Sequence, residues 1–248
     1  MPQFPARPPI LLGVNLIHNP ETHDDDSCPV PPPVSEAVVD CAVYCDGARL
    51  PGTYSYASAL EKVHDLEALG QPAFVWVGLH EPDEHQMQMV ADVYHLHPLA
   101  VEDAVHAHQR PKVERYDDAL FLVVKTVNYV PHESVELARE IVETGEIMIF
   151  VAEDFVVTVR HGDHTGLAAL RTQLEEEKKQ LMLGPFAVMH AIADHIVDSY
   201  RWVAHAMEAD IDAVEEATFS PDTRTSIEPI YMLKREVVEL RRAVSPFT

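Results

Sequence analysis

The chain has 248 residues, 47% of them hydrophobic, enough for one large domain or a domain with appended helices. Its 41 acidic and 18 basic residues leave a formal net charge of −23, which argues against a nucleic-acid partner and makes cations the natural counterparts. No run reaches the roughly 18 apolar residues of a membrane span, no secretory leader is recognisable, and three cysteines make no disulfide framework, so a soluble chain in a reducing cytosol is expected.

Residues 1–34 are rich in proline, with Pro31-Pro32-Pro33 and the acidic patch Asp24-Asp25-Asp26, and read as a mobile tail. Val38–Cys45 is β-branched and predicts a strand, with Cys41 and Cys45 on one face as buried thiols. Ser55–Leu69 has helical spacing at Leu60, Val63 and Leu66, and Gly70 suits its end. Phe74–Leu79 predicts a short apolar strand. Asp83–Leu96 predicts a second helix, apolar at Met87, Val90 and Val93-Tyr94. A short helix opens at Pro98, a residue suited to the first helical turn. Its Leu99, Val101 and Val105 are expected to face the core, with Glu102 and Asp103 on the outer flank and Pro111 closing it. Ala119–Val130 reads as a buried strand; Glu146–Val151 and Phe155–Arg160 then pair as a hairpin about Glu153-Asp154. Alternating strands and helices with a terminal hairpin predict a layered α/β sandwich on a mixed sheet over residues 35–164.

Beyond His161 the pattern turns helical. Thr165–Leu183 forms one segment, and Phe186–Thr218 a longer one with Met189, Ile192, Ile196, Tyr200, Val203, Met207, Ile211 and Val214 three and four apart. Together they predict a long antiparallel helical hairpin over 165–219. From 220 onward Ile230, Leu233, Val237, Leu240 and Val244 alternate by three and four, and the pattern is still running at Thr248, as expected of a helix belonging to a longer protein.

No glycine-rich phosphate loop follows a strand, and there is neither a serine nucleophile elbow nor a framed acid–base carboxylate pair, so no enzyme is expected. Fifteen histidines raise a transition-metal reading through His95 and His97, His106 and His108, and His161 and His164. Zinc needs three or four ligands in fixed geometry, and no HExxH or cysteine-pair spacing supplies them. Glu208, Asp210, Asp212, Glu215 and Glu216 form an acidic cluster near the tip of the long helix. Glu208, Asp212 and Glu215 share a face, which reads as solvated surface or as a diffuse attractor of cations.

The stretch His97–Lys125 carries the most specific signal. It contains His97-Pro98, Glu102-Asp103, the heptapeptide His108-Gln109-Arg110-Pro111-Lys112-Val113-Glu114 and the apolar run Phe121–Lys125. In these pieces and their order the chain resembles the CorA family of magnesium channels and transporters, over roughly Ser35 to its end. The resemblance implies the family's N-terminal cytoplasmic domain without its membrane helices: an α/β sandwich, two antiparallel helices, and the start of a stalk helix over 220–248. In the family that stalk runs into a membrane span with a Gly-Met-Asn motif, and the whole assembles as a homopentamer. The resemblance also implies weak regulatory Mg2+ sites shared between subunits, with Co2+ or Zn2+ as alternative ions. Glu102 and Asp103 match one half of such a site. Asp194, within AIADHIVDSY, matches a third carboxylate, although it could equally be a flank residue paired with His190 or His195. The family's remaining partner is an Asp farther along the stalk helix, past Thr248, so the intersubunit site is expected to be incomplete in these 248 residues. The implied function is Mg2+-dependent feedback gating of a divalent-cation channel. The alternatives are a zinc-transporting relative and a soluble metal-binding sensor or scaffold with no membrane part.

Overall fold

The computed structural model describes residues 34–220 and 227–245; the tail with its histidines, aspartates and Cys28 lies outside the described residues. In chain order the elements are α1 (Val34–Ala37), β1 (Val38–Cys45), β2 (Ala48–Arg49), α2 (Tyr56–Ala68), β3 (Ala73–His80), α3 (Glu84–Tyr94), α4 (Pro98–Val105), β4 (Lys112–Tyr116), β5 (Ala119–Tyr129), β6 (Val142–Val151), β7 (Phe155–His161), α5 (Ala168–Glu176), α6 (Lys178–Leu181), α7 (Pro185–Phe219) and α8 (Glu228–Val244).

The seven strands form one mixed sheet in the order β2-β1-β3-β7-β6-β5-β4. β3 and β7 run parallel, with Val75 opposite Phe155, and every other neighbouring pair is antiparallel. β6 and β7 pair as the predicted hairpin, with Phe150 opposite Val157. Helices cover both faces, so the inner strands are apolar along nearly their whole length rather than alternating. On one face Val43, Val75, Val77, Phe121, Met148 and Phe150 meet α2, α3 and α4. On the other, Phe74, Trp76, Leu122, Val124, Ile147 and Ile149 meet α5, α6, α7 and α8. Cys41 and Cys45 both turn to the first face, as the strand period requires.

The helix starts are written locally. Ser55 and Ser58 cap α2 reciprocally, at 3.0 and 3.1 Å, and Asp83 and Gln86 do the same for α3, at 2.7 and 3.0 Å. α7, at 35 residues, is about 52 Å long. It buries Val188, Ile192, Ile196, Tyr200, Val203 and Met207 against the sheet.

Three expectations need correction. The core-facing stripe of α4 is Ala100, Val101 and Ala104, while Leu99 is 59% exposed and Val105 half-buried. α4 also ends at Val105, well before Pro111, where the His106 N–H and ring close on the Glu102 carbonyl. The segment Thr165–Leu183 is two short helices, broken at Glu177. There the β1–β2 turn backs into the chain so closely that a Cβ on Gly47 would collide with the Lys178 carbonyl oxygen. Among the described residues no helix is long and apolar enough to cross a membrane.

Candidate functional site

α4 and the loop after it are held from both ends. His97 caps the helix, its Nδ1 accepting the Leu99 N–H at 3.3 Å, and its ring stacks on Tyr116 with centroids 4.3 Å apart. At the far end the carboxylate of Glu146 on β6, 3% exposed, accepts the N–H groups of His108 at 2.6 Å and Gln109 at 3.1 Å, and pairs with Lys125 of the neighbouring strand. His108 takes the left-handed φ of +79° to present its amide. The conformation of the HQRP segment is therefore set by a carboxylate nearly forty residues away in sequence. Sequence reading missed this role. Its signal was Glu146 as an ionisable side chain leading an apolar strand, in register opposite Lys125.

Burying Ala100, Val101 and Ala104 turns Glu102 outward, and its exposed carboxylate has no partner among the described residues. Asp103 is half-buried and differs sharply. Lys112 Nζ lies 2.7 Å from its Oδ2 and 2.6 Å from Glu114 Oε2, and the Tyr116 hydroxyl donates to that same Glu114 oxygen at 2.9 Å. Burial alone would lower the pKa of Lys112, but the Asp103 and Glu114 carboxylates outweigh it and raise it. Hydrogen bonds from Lys112 and Tyr116 hold Glu114 below the usual carboxyl range. The protein thus supplies its own cation to Asp103.

Asp194 sits on α7, between the buried Ile192 and Ile196 in sequence but turned away from them to solvent. Neither His190 nor His195, its alternative partners on the sequence, pairs with it among the described residues. Because α4 packs on one face of the sheet and α7 on the other, one chain does not bring Glu102 and Asp103 together with Asp194. Among the described residues no group of three or more histidine, cysteine or acidic side chains converges to hold a metal ion.

The acidic cluster is divided. Glu208, Asp212, Glu215 and Glu216 are exposed, with His205 beside Glu208 at 3.3 Å. Asp210 instead turns to the sheet, accepts from the Tyr129 hydroxyl at 3.1 and 3.0 Å and lies 3.3 Å from His132 Nε2. Burial, reinforced by Asp210, pushes Tyr129 up to about 12. The paired histidines also serve structure. The His161 ring sits between the Ala104 carbonyl at 2.8 Å and Glu81 at 3.3 Å, and that of His164 between Thr126 at 3.1 Å and Glu143 at 3.3 Å.

The family model described as "CorA-like Mg2+ transporter protein" matches residues 71–248, which include the whole HQRP segment. Among curated proteins, YfjQ of Bacillus subtilis (strain 168) is 31% identical over 183 residues, covering 73% of this chain and 54% of that protein. The "Cobalt/magnesium transport protein CorA" of Thermotoga maritima is 26% identical over 174 residues, covering 68% of this chain and 46% of that one. This chain therefore matches only about half the length of these relatives. Among solved structures, full-length CmaX superposes with a TM-score of 0.65 at 18% identity, covering 85% of this chain and 61% of that chain. The soluble domain of CorA from Methanocaldococcus jannaschii gives 0.59 at 14% identity, covering 84% and 76%. At these identities the structural likeness establishes the mixed-sheet α/β fold.

Proposed function

This chain belongs to the CorA-like Mg2+ transporter family, whose members are ion transporters rather than enzymes, and on that premise we propose that it is the ion-sensing part of a divalent-cation channel. The cargo is Mg2+, with Co2+ as a second ion, and the domain stands on the cytoplasmic side of the membrane as one subunit of a pentamer. Glu102 and Asp103 of one subunit and Asp194 of the next share a weakly held regulatory Mg2+.

The observation that carries this reading is the placement of Glu102 and Asp194. Both carboxylates are exposed, neither has a partner among the described residues, and they belong to helices on opposite faces of one sheet. Opposite faces of one subunit become neighbours when copies are arranged in a ring. Mg2+ keeps several of its waters and takes only one or two carboxylates from a site, so facing carboxylates suffice without a preformed cage. Lys112 already neutralises Asp103, so an entering ion competes with an internal ammonium, which keeps the site weak. When Mg2+ is plentiful it bridges subunits and favours a closed ring; when it is scarce the bare carboxylates repel and the subunits splay. Near-complete switching takes about 5.5 kcal/mol. Five sites each with a tenfold preference supply about 7 kcal/mol, at roughly 1.4 kcal/mol per tenfold.

Sedimentation equilibrium in several millimolar Mg2+ and again in chelator tests this. The expected result is a ring-sized assembly that dissociates in chelator, and a Glu102→Ala/Asp103→Ala/Asp194→Ala variant that stays monomeric in both. A wild-type chain that stays monomeric in Mg2+, or a variant as Mg2+-responsive as the wild type, would overturn the assignment.

A further inference from the structure

On the α5 side of the sheet, over β1, β3 and β7, lies a cleft of about 350 Å3 that the carboxylate sites do not use. Trp76 and Gly78 of β3, Arg160 of β7, Arg171 of α5, and Leu167 and Ala168 at the start of α5 are among the residues that line it. The Arg171 guanidinium lies 3.8 Å from the Trp76 ring centroid, and the residue is 7% exposed. Its Nη1 is engaged, 2.8 Å from Asp40 Oδ2. Its Nη2 reaches over Gly78, where a Cβ would lie 3.8 Å from it, and donates no hydrogen bond to any described residue.

Arg160 donates one hydrogen bond, to the Thr165 carbonyl at 3.0 Å, and meets no carboxylate among the described residues. The two acids beside the cleft are already consumed. Asp40 bridges Arg49 and Arg171, each at 2.8 Å, and Glu175 accepts from Tyr44 at 2.7 Å and Arg49 at 3.2 Å. Three arginines against two carboxylates leave one positive charge in excess, inside a chain of net charge −23. Burial and the neighbouring Arg171 charge both lower the pKa of Arg160, which marks that excess as uncompensated. α5 adds to it. Its N-cap is Leu167, which offers no side-chain acceptor, so the first-turn N–H groups are not capped by a side chain at the mouth of the cleft.

We propose that this cleft is an oxyanion site for a phosphate group, free or carried by a small phosphomonoester, bound by Arg160 and by Nη2 of Arg171 with the first-turn amides of α5 completing its shell. Two guanidinium groups and a helix N-terminus lining one cleft suit a tetrahedral group with several acceptor oxygens, and a dianion matches one uncompensated cation plus a helix N-terminus. The cleft volume has room for a small ester.

Calorimetric titration of inorganic phosphate into the whole chain, without Mg2+ and at matched ionic strength, tests this directly. Saturable binding is expected. Arg160→Gln weakens it about tenfold or more, as loss of a charge-assisted hydrogen bond should, and Arg110→Gln on the distant HQRP loop leaves it unchanged. Melting curves separate this from a structural role. Phosphate raises the wild-type melting temperature and not that of Arg160→Gln, whereas without phosphate the variant is no less stable, having shed a crowded charge. Glycerol phosphate titrated beside inorganic phosphate tells an ester ligand from the free ion by which binds more tightly. Absence of saturable binding, equal affinity in Arg160→Gln, loss of affinity in Arg110→Gln, or acetate binding as well as phosphate would each overturn the proposal.

Discussion

Replacing Glu146 with alanine removes the carboxylate that, among the described residues, ties the HQRP segment to the sheet. Two backbone amides and an ammonium lose their acceptor at once, since Glu146 takes the His108 and Gln109 N–H groups at 2.6 and 3.1 Å and pairs with Lys125. Breaking a buried ion pair from one side costs about 3–5 kcal/mol. The Lys125 side chain keeps 21% of its surface exposed and can turn to water, which places its share at the lower end of that range. The amides can also reach water if the loop lifts, at about 1 kcal/mol each for the lost bonds. The terms overlap because the loop opens once, so the expected loss is about 3–4 kcal/mol, a large part of a stability of about 5–15 kcal/mol. Urea unfolding followed by the fluorescence of Trp76, buried beneath Arg171, measures it. Lys125→Met on the alanine background should recover part of the loss, because the stranded ammonium is gone, and the double-mutant cycle should be strongly non-additive. A cost under about 1 kcal/mol, or additivity of the two changes, would show that Glu146 does not hold the loop.

Glu236 plays the corresponding part for α8. It is 3% exposed, its Oε2 accepts the Ile141 and Val142 N–H groups at 3.2 and 2.9 Å, and its Oε1 meets Arg235 at 2.8 Å. Glu236→Ala should cost about 2–3 kcal/mol and raise amide exchange selectively along α8 and the start of β6; uniform exchange across the sheet would refute a local docking role. Acid titration probes Glu81. Burial pushes its carboxyl up, but the Gly162 N–H and His161 together outweigh that and hold it below the ordinary value of 4.5. A depressed folded pKa means that Glu81 stabilises the fold fully above the unfolded value and loses this as pH falls through the folded one. Stability should therefore drop less steeply below about pH 4.5 in Glu81→Gln than in the wild type, as read by melting temperature. Parallel slopes would place the acid sensitivity elsewhere.

Much of the fold was legible because its signals are local. The apolar spacing of α2 and α3, Gly70 after α2 and Pro98 at the first turn of α4 act within three or four residues. The 35-residue α7 could be read from its own apolar period, which one continuous sheet face imposes. β4 escaped notice because Lys112–Tyr116 is a short charged edge strand whose apolar content is too small to announce it. The break in α5–α6 escaped because the segment's own apolar spacing runs through it, while its neighbour there, Gly47, comes from the other end of the chain. In α4 the bulkier Leu99 was expected inside; the close fit of a short helix on the sheet selects Ala100 and Ala104 instead.

The same division runs through the sites. From its residues alone the chain declared its alternation of strands and helices, its surplus of acid and the HQRP segment that marks its family, since period, charge and motif are properties of neighbours in sequence. Tertiary structure alone decided what each ionisable group does. It paired Asp103 with Lys112 while leaving Glu102 in solvent, drew Asp210 out of its acidic cluster to Tyr129, buried Glu146 beneath the loop it holds, and left Arg160 without a carboxylate. A charge acts through the distance to its partners and the water around it, and both are fixed only when distant strands and helices close on one another.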